Sequence, residues 1–341
     1  MRRIAIIGLG MAVGPHAESL LRLADRVEVA AAYSVRAERR ARFHARFPAL
    51  PLAENLEAVL DDRSISGVIL LTPPNTHLEL VRRATAAGKH ILLEKPLETT
   101  VARAEQVVEA CRAAGVSLGI VLQHRFRPAG QRLRALIAEG SLGRLLGCST
   151  AMRLWRPQSY YDEPGRGTLA RDGGGVLLTQ GIHTLDLMLS LAGPVAEVAA
   201  FATTTPVHRM ETEDLVAGAL RFANGALGTV DATTAAYPGF PERIEFVFER
   251  GTAAISGTAL QLCWQDGRQE SLGADGQGGG TGADPMAFPP DYHRALIGDW
   301  LDALDRGSEP AVGGAEGLAV QRLIEALLGA AADGRPRRLY N

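Results

Sequence analysis

The chain has 341 residues, 46% of them hydrophobic and 22% charged, with a formal net charge of −2. That is long enough for two domains with substantial cores, and the near-neutral balance provides no basic field for nucleic acid. No apolar run approaches the ~18 residues of a membrane span, and the N-terminal MRRIAIIGLG reads as mature structure rather than a signal peptide, so a cytoplasmic protein is expected.

From residue 1 to about 122 strand and helix alternate: RIAIIGL, then PHAESLLRLA, VEVAAAYS, AERRARFHARF, GVILLTP, THLELVRRATAAG, HILLE, VARAEQVVEACRAAG and SLGIVLQ. Fully apolar strands between amphipathic helices predict a parallel sheet covered on both faces, a dinucleotide-binding domain over 1–122. The period changes from about 144. LLGCSTAMRLW, AEVAAFATTT, DLVAGALRF, ALGTVDATTA and RIEFVFE alternate as strands with turns at 224–225 and 250–251, predicting a mostly antiparallel open sheet with a helix over 173–191 on one face. This second domain is expected to run from 123 to 341, its C-terminal helices (about 290–305 and 315–331) able to pack back on the first domain. The glycine-rich 271–284 reads as a flexible loop. Three scattered cysteines, Cys111, Cys148 and Cys263, lack ligand-type spacing and predict neither disulfides nor a metal site.

Five stretches carry chemistry. GLGMAVG (8–14) follows the first strand and opens a helix, so Gly8 permits a tight turn and Gly10 a close backbone approach to pyrophosphate. Leu9, Met11, Ala12 and Val13 complete the loop; Val13 occupies the place of the usual third small residue. The second strand ends without an acid, in Ser34, Arg36 and Arg39, which suits a 2′-phosphate and favours NADP over NAD. Leu71, Thr72, Pro73, Pro74, Asn75 and His77 form an extended shelf after the third strand. Glu94, Lys95 and Pro96 end the fourth. Of the 36 basic residues only Lys89 and Lys95 are lysine. A lysine at the carboxyl end of a parallel strand suggests proton transfer, which arginine cannot perform near neutral pH. Finally GGGVLLTQGIHTLD (173–186) places Thr179, His183 and Asp186 on one helical face.

The order GLG, TPPNTH, EKPL, QHRF and GGGVLLTQGIHTLD, with GGAEGLAVQRLIEALLGAAADGR near the end, resembles the glucose–fructose oxidoreductase/inositol dehydrogenase (Gfo/Idh/MocA) family over nearly the whole chain. The resemblance implies a Rossmann domain plus an α/β domain whose large sheet lines the substrate cleft and mediates a homodimer or homotetramer. It implies hydride transfer between nicotinamide and a hydroxyl-bearing carbon of a sugar, cyclitol or related polyol. Lys95 matches the EKP lysine and His183 the GxHxxD histidine, while Thr179 stands where the family often has aspartate. Lys95 and His183 are therefore expected to carry the proton transfer, with Thr179 limited to hydrogen bonding. Gln123, Arg125, Trp155, Arg156, Tyr160, Tyr161 and Asp172 are candidate substrate contacts, Gln123 also a cofactor contact, His124 faces the same cleft, and His293 is a weaker candidate; Asp186 reads as structural. The alternatives are a redox-assisted NAD-dependent glycosidase and a non-catalytic dinucleotide-sensing regulator.

Overall fold

The computed structural model describes residues 1–273, 282 and 289–339, and the chain divides into two units: Met1–Gln123 with Pro289–Leu318, and His124–Phe288 with Ala319–Asn341. In the first, β1 (Arg2–Ile7), α1 (Val13–Leu21), β2 (Val27–Tyr33), α2 (Ala37–Arg46), α3 (Leu56–Leu60), β3 (Gly67–Leu70), α4 (His77–Ala86), β4 (His90–Leu93), α5 (Val101–Ala114) and β5 (Leu118–Ile120) follow one another. The five strands form a wholly parallel sheet ordered β2-β1-β3-β4-β5. β3 and β5 are buried at every position, as strands covered on both faces must be. The strand order reverses between β1 and β3, which opens the crevice where such sheets bind ligands.

In the second unit come α6 (Pro128–Ala138), β6 (Leu145–Arg153), α7 (Gln158–Tyr161), α8 (Ile182–Ala192), β7 (Val195–Thr203), β8 (Leu215–Phe222), β9 (Leu227–Thr233), β10 (Arg243–Phe248), β11 (Gly251–Ser256), β12 (Ala259–Trp264) and β13 (Gln269–Leu272). α9 (Asp291–Arg306) returns to the first unit, α10 (Gly314–Asp333) has residues in both, and β14 (Arg337–Arg338) closes the second. The nine strands are ordered β13-β12-β11-β10-β6-β9-β8-β7-β14, antiparallel except where β6 pairs with β9. Burial alternates strictly along β10, with Ile244, Phe246 and Phe248 inward, which leaves one sheet face open. Phe201, Leu227 and Val247 on that open face are 82%, 57% and 47% exposed.

In the first unit Trp300 of α9 is 1% exposed and lies over Gly67 and Gly119, where an added Cβ would come within 3.0 Å and 2.9 Å of the indole. The two strand glycines make room for the indole, which ties α9 to the parallel sheet.

Three elements differ from the sequence expectation. Segment 173–191 is not one α-helix: Leu177–Gly181 winds as a π-helical turn before α8 begins. β11–β13 continue the sheet past RIEFVFE and the turn at 250–251, through short strands of four to six residues. Of the glycine-rich 271–284, Ser271 and Leu272 belong to β13 and most of the rest lies outside the described residues.

Candidate active site

The loop after β1 fits a dinucleotide. Gly8 has φ +104°, and a Cβ there would lie 2.6 Å from the Leu71 carbonyl carbon, so only glycine lets the turn pass the end of β3. At Gly10 the nearest atom to an added Cβ is Arg39 Nη1 at 3.5 Å, which brings that guanidinium to the loop. No side chain caps α1 at Ala12, and the Val13 N–H reaches only the Gly10 carbonyl, at 3.4 Å. Leu9 and Val13 are buried beneath the turn while Met11 is exposed. Beside it Ser34 is buried, Arg36 is exposed, and Arg40 Nη1 donates to the Ser34 carbonyl at 2.5 Å. No acidic residue ends β2.

Leu71 to Thr76 continue from β3 as a loop and a 3₁₀ turn over Pro74–Thr76, with Asn75 exposed and Thr76 Oγ1 donating to the Pro73 carbonyl at 2.7 Å. His77 is fully buried; its Nε2 lies 2.8 Å from the Thr72 carbonyl, and its Nδ1 is 3.1 Å from both the Pro96 and Leu97 carbonyls. It therefore ties the shelf to the segment after β4, and burial lowers its pKa against the pull of those carbonyls. The Lys95–Pro96 bond is cis, and Lys95 itself is half-buried. Glu94 Oε2 accepts the Lys95 backbone N–H at 3.0 Å, and its Oε1 lies 3.0 Å from His16 Nε2. Burial raises the Glu94 carboxyl, but the His16 hydrogen bond, with His16, Lys95 and His293 nearby, outweighs that and holds it below the ordinary value. Lys89, the other lysine, is buried and donates to the Asp62 and Ile65 carbonyls at 2.7 Å and 2.9 Å, a structural role. Gln123 is buried at the end of this strand region, its Oε1 without a hydrogen-bond partner among the described residues, which suits a ligand donor.

In the second unit the helix carrying His183 is set by its N-terminus. Glu213 Oε2 accepts from Gly175 N at 2.9 Å, Oε1 from Leu177 N at 3.2 Å, and the Glu213 carbonyl from Val176 N at 2.9 Å. A Cβ at Gly175 would lie 1.8 Å from that carbonyl oxygen, so the third glycine of the run is obligatory. Burial raises the Glu213 carboxyl despite these N–H donors. The π-helical turn follows directly, and such turns recur at functional sites. Within it Thr179 Oγ1 has two acceptors for its one proton, the Gly175 carbonyl at 2.7 Å and Gln180 Oε1. His183 is half-buried, its ring 4.9 Å from that of His124 and tilted by 32°. His124 Nε2 in turn lies 2.5 Å from Arg127 Nη2.

Several expected substrate contacts also have partners within the protein. Arg125 grips Asp186 with both arms, at 2.8 Å and 2.6 Å, and Asp186 is completely buried, so this fork anchors α8. Arg156 is buried, its Nη1 donating to the Trp155 and Gly282 carbonyls at 2.7 Å and 2.5 Å, while its own carbonyl lies 2.8 Å from His208 Nε2. Trp155 stands edge-on to Tyr237 at 5.5 Å. Tyr161 is buried with its hydroxyl 2.8 Å from Thr234 Oγ1, and burial pushes its pKa up. Tyr160 lies under Arg166, whose charge is 4.4 Å from the ring centre, and its hydroxyl is 3.4 Å from Gln180 Nε2. Asp172 is buried and accepts from Gly167 N at 2.7 Å, which shapes the loop before the glycines.

Family comparison decides what this arrangement belongs to. Residues 2–121 match the oxidoreductase family model with an NAD-binding Rossmann fold, and residues 131–254 match the GFO/IDH/MocA C-terminal domain. The chain belongs to the Gfo/Idh/MocA oxidoreductase family. The myo-inositol 2-dehydrogenase of Thermotoga maritima is 28% identical over 73% of each chain, and the D-apiose dehydrogenase of Paraburkholderia graminis 28% identical over 97% of this chain and 88% of its own. Among solved structures, the WlbA dehydrogenase of Bordetella pertussis in complex with NADH and UDP-GlcNAcA superposes with a TM-score of 0.85 at 27% identity, covering 99% of both chains.

Set in this family, two groups that sequence reasoning passed over stand out. His16 lies inside α1, where a single histidine among apolar residues gave no signal, and Glu213 precedes β8 as an ordinary loop acid. The glycine run 173–175 was the one sequence mark of the Glu213 contact, since it announces close backbone packing without naming what packs.

Proposed function

We propose that this family member is an NAD(P)-dependent dehydrogenase or reductase. It would move a hydride between nicotinamide and a secondary alcohol or ketone of a sugar, cyclitol or related polyol. The observation that carries the reading is Lys95: a half-buried lysine following a parallel strand, its backbone N–H held by Glu94, in a unit whose Gly8 turn admits a dinucleotide. Lys95 Nζ takes the hydroxyl proton in oxidation and returns it in reduction, and His183 is the second acid–base group. The bound nicotinamide supplies or accepts the hydride. The α1 N-terminus and the loop from Gly8 to Val13 would hold the pyrophosphate, with the 71–77 shelf and Gln123 as further cofactor contacts.

Buried Ser34 and the Arg39 guanidinium near Gly10, with no acid ending β2, support NADP over NAD. Thr179, with its proton directed at Gly175 or Gln180, orients the helix face rather than acting as a base. The exposed apolar residues of the open sheet face support a homodimer or homotetramer through that face.

The test is a screen of sugars, cyclitols and their keto forms with NADP and NAD, read by absorbance of the reduced nicotinamide. Oxidation of at least one polyol, faster with NADP, is expected. Release of free sugar from a glycoside without net reduced cofactor would replace this reading with a redox-assisted glycosidase.

A further inference from the structure

We propose that His16, Glu94 and His293 form the positioning network of Lys95, a buried polar cluster that fixes the lysine backbone and keeps one negative charge beside its ammonium. The proposal rests on Lys95 being the acid–base group described above. Its members come from three elements of the first unit: α1, the segment after β4, and α9. Their nitrogen and oxygen atoms lie within 4.8 Å of one another. His16 is 0% and His293 3% exposed, and their rings meet edge to face at 4.9 Å and 81°.

Burying three ionisable side chains opposes folding unless each is satisfied. Here the contacts determine the protonation pattern. Glu94 is held ionised, and an ionised carboxylate only accepts, so His16 Nε2 must carry the proton directed at it. Burial pushes His293 down to about 3, with His16 and Lys95 adding to the fall and Glu94 opposing it, so it is neutral near pH 7. Glu94 is therefore the anion facing Lys95 within the cluster. The titratable groups near it include His77 from α4, whose pKa burial lowers, and Glu98, which pairs with Arg103 at 2.7 Å. A bound metal ion is the competing reading of a His–Glu–His set: it would take the His16 Nε2 lone pair and displace the proton that this arrangement directs at Glu94.

The chain offers a direct readout, because it contains only two lysines. Reductive ¹³C-methylation yields two side-chain NMR signals besides the terminal amine. Lys89, buried and bonded to two carbonyls, serves as the folding reference. In Glu94→Gln the Lys95 titration midpoint should fall by about 1 pH unit or more, because an opposite charge is lost. Turnover of the unlabelled variant should fall about 10–100-fold, with substrate KM within about 3-fold. Should that variant not fold, Glu94→Asp carries the test: it keeps the charge and loses reach, so turnover drops while the midpoint moves less than about half a unit. A Lys95 midpoint unchanged in folded Glu94→Gln overturns the network, as does one equivalent of zinc bound by the wild type and lost in that variant. The midpoint is read without substrate. A shifted midpoint with no polyol oxidation therefore sinks the proposed reaction and leaves the network standing.

Discussion

The two units place their acid–base candidates by different means. Around Lys95 the neighbours are ionisable groups: Glu94 at its backbone N–H, His16 bonded to Glu94, and His293 buried against His16. Around His183 the positioning is mostly steric and through the main chain. The Glu213 carboxylate and carbonyl take three helix N–H groups, Gly175 leaves no room for a Cβ, and the Arg125–Asp186 fork locks the next turn. Where the family often carries an acid, Thr179 adds a hydroxyl bonded to backbone and no charge. The difference teaches that a lysine whose protonation must be tuned needs charges near it, whereas a ring that must be aimed needs a rigid helix.

The largest test of that contrast is Lys95→Met. Turnover should fall at least ~100-fold while cofactor affinity is kept, the usual scale for a lost acid–base group. Near-normal turnover would remove Lys95 from the chemistry. In the other unit Gly175→Ala should act on stability first. A Cβ 1.8 Å from the Glu213 carbonyl forces the helix entry to move, costing on the order of 1–3 kcal/mol or more and lowering the melting temperature. A variant that melts with the wild type would show that the close approach is not required.

Charge at the cofactor loop gives a smaller effect. Arg39→Ala should weaken NADP by about 10–100-fold and leave NAD nearly unchanged, since a charge-assisted hydrogen bond contributes roughly 1.5–3 kcal/mol. Equal effects on both nucleotides in a binding titration would end the 2′-phosphate reading.

The smallest effect is a slope with pH. Burial raises the Glu213 carboxyl above 4.5, so the folded protein keeps a proton that the unfolded chain has already released. Its contribution to stability is full below 4.5 and is lost as pH rises through the raised folded value. Glu213→Gln cannot ionise and stands in for the protonated carboxyl, so urea unfolding of the two proteins should differ least in acid, and the wild type should lose stability relative to the variant as pH rises through the raised value. Parallel stability curves across that range would show that Glu213 does not hold a raised value.

Much of this molecule is legible in local pattern. Hydrophobic period and turn residues gave the parallel sheet, the change to an antiparallel one, and the glycine turn after β1, because each depends on neighbours along the chain. Lys95 was visible for a similar reason: in a chain with 34 arginines among 36 basic residues, a lysine at a strand end is a departure readable without coordinates. The single helix expected over 173–191 failed because its entry is shaped by Glu213, a residue remote in sequence that takes three N–H groups and precedes a π-helical turn.

What the sequence by itself determined is the fold class and the family; it also nominated Lys95 and His183 as the acid–base candidates. Only the tertiary structure decided which groups surround them. His16 and His293 meet from opposite ends of the chain, Arg125 forks onto Asp186, and Thr179 bonds to Gly175 and Gln180. Periodicity reports a residue's face and burial. It carries no record of which distant side chain shares that space, and protonation and orientation are set there.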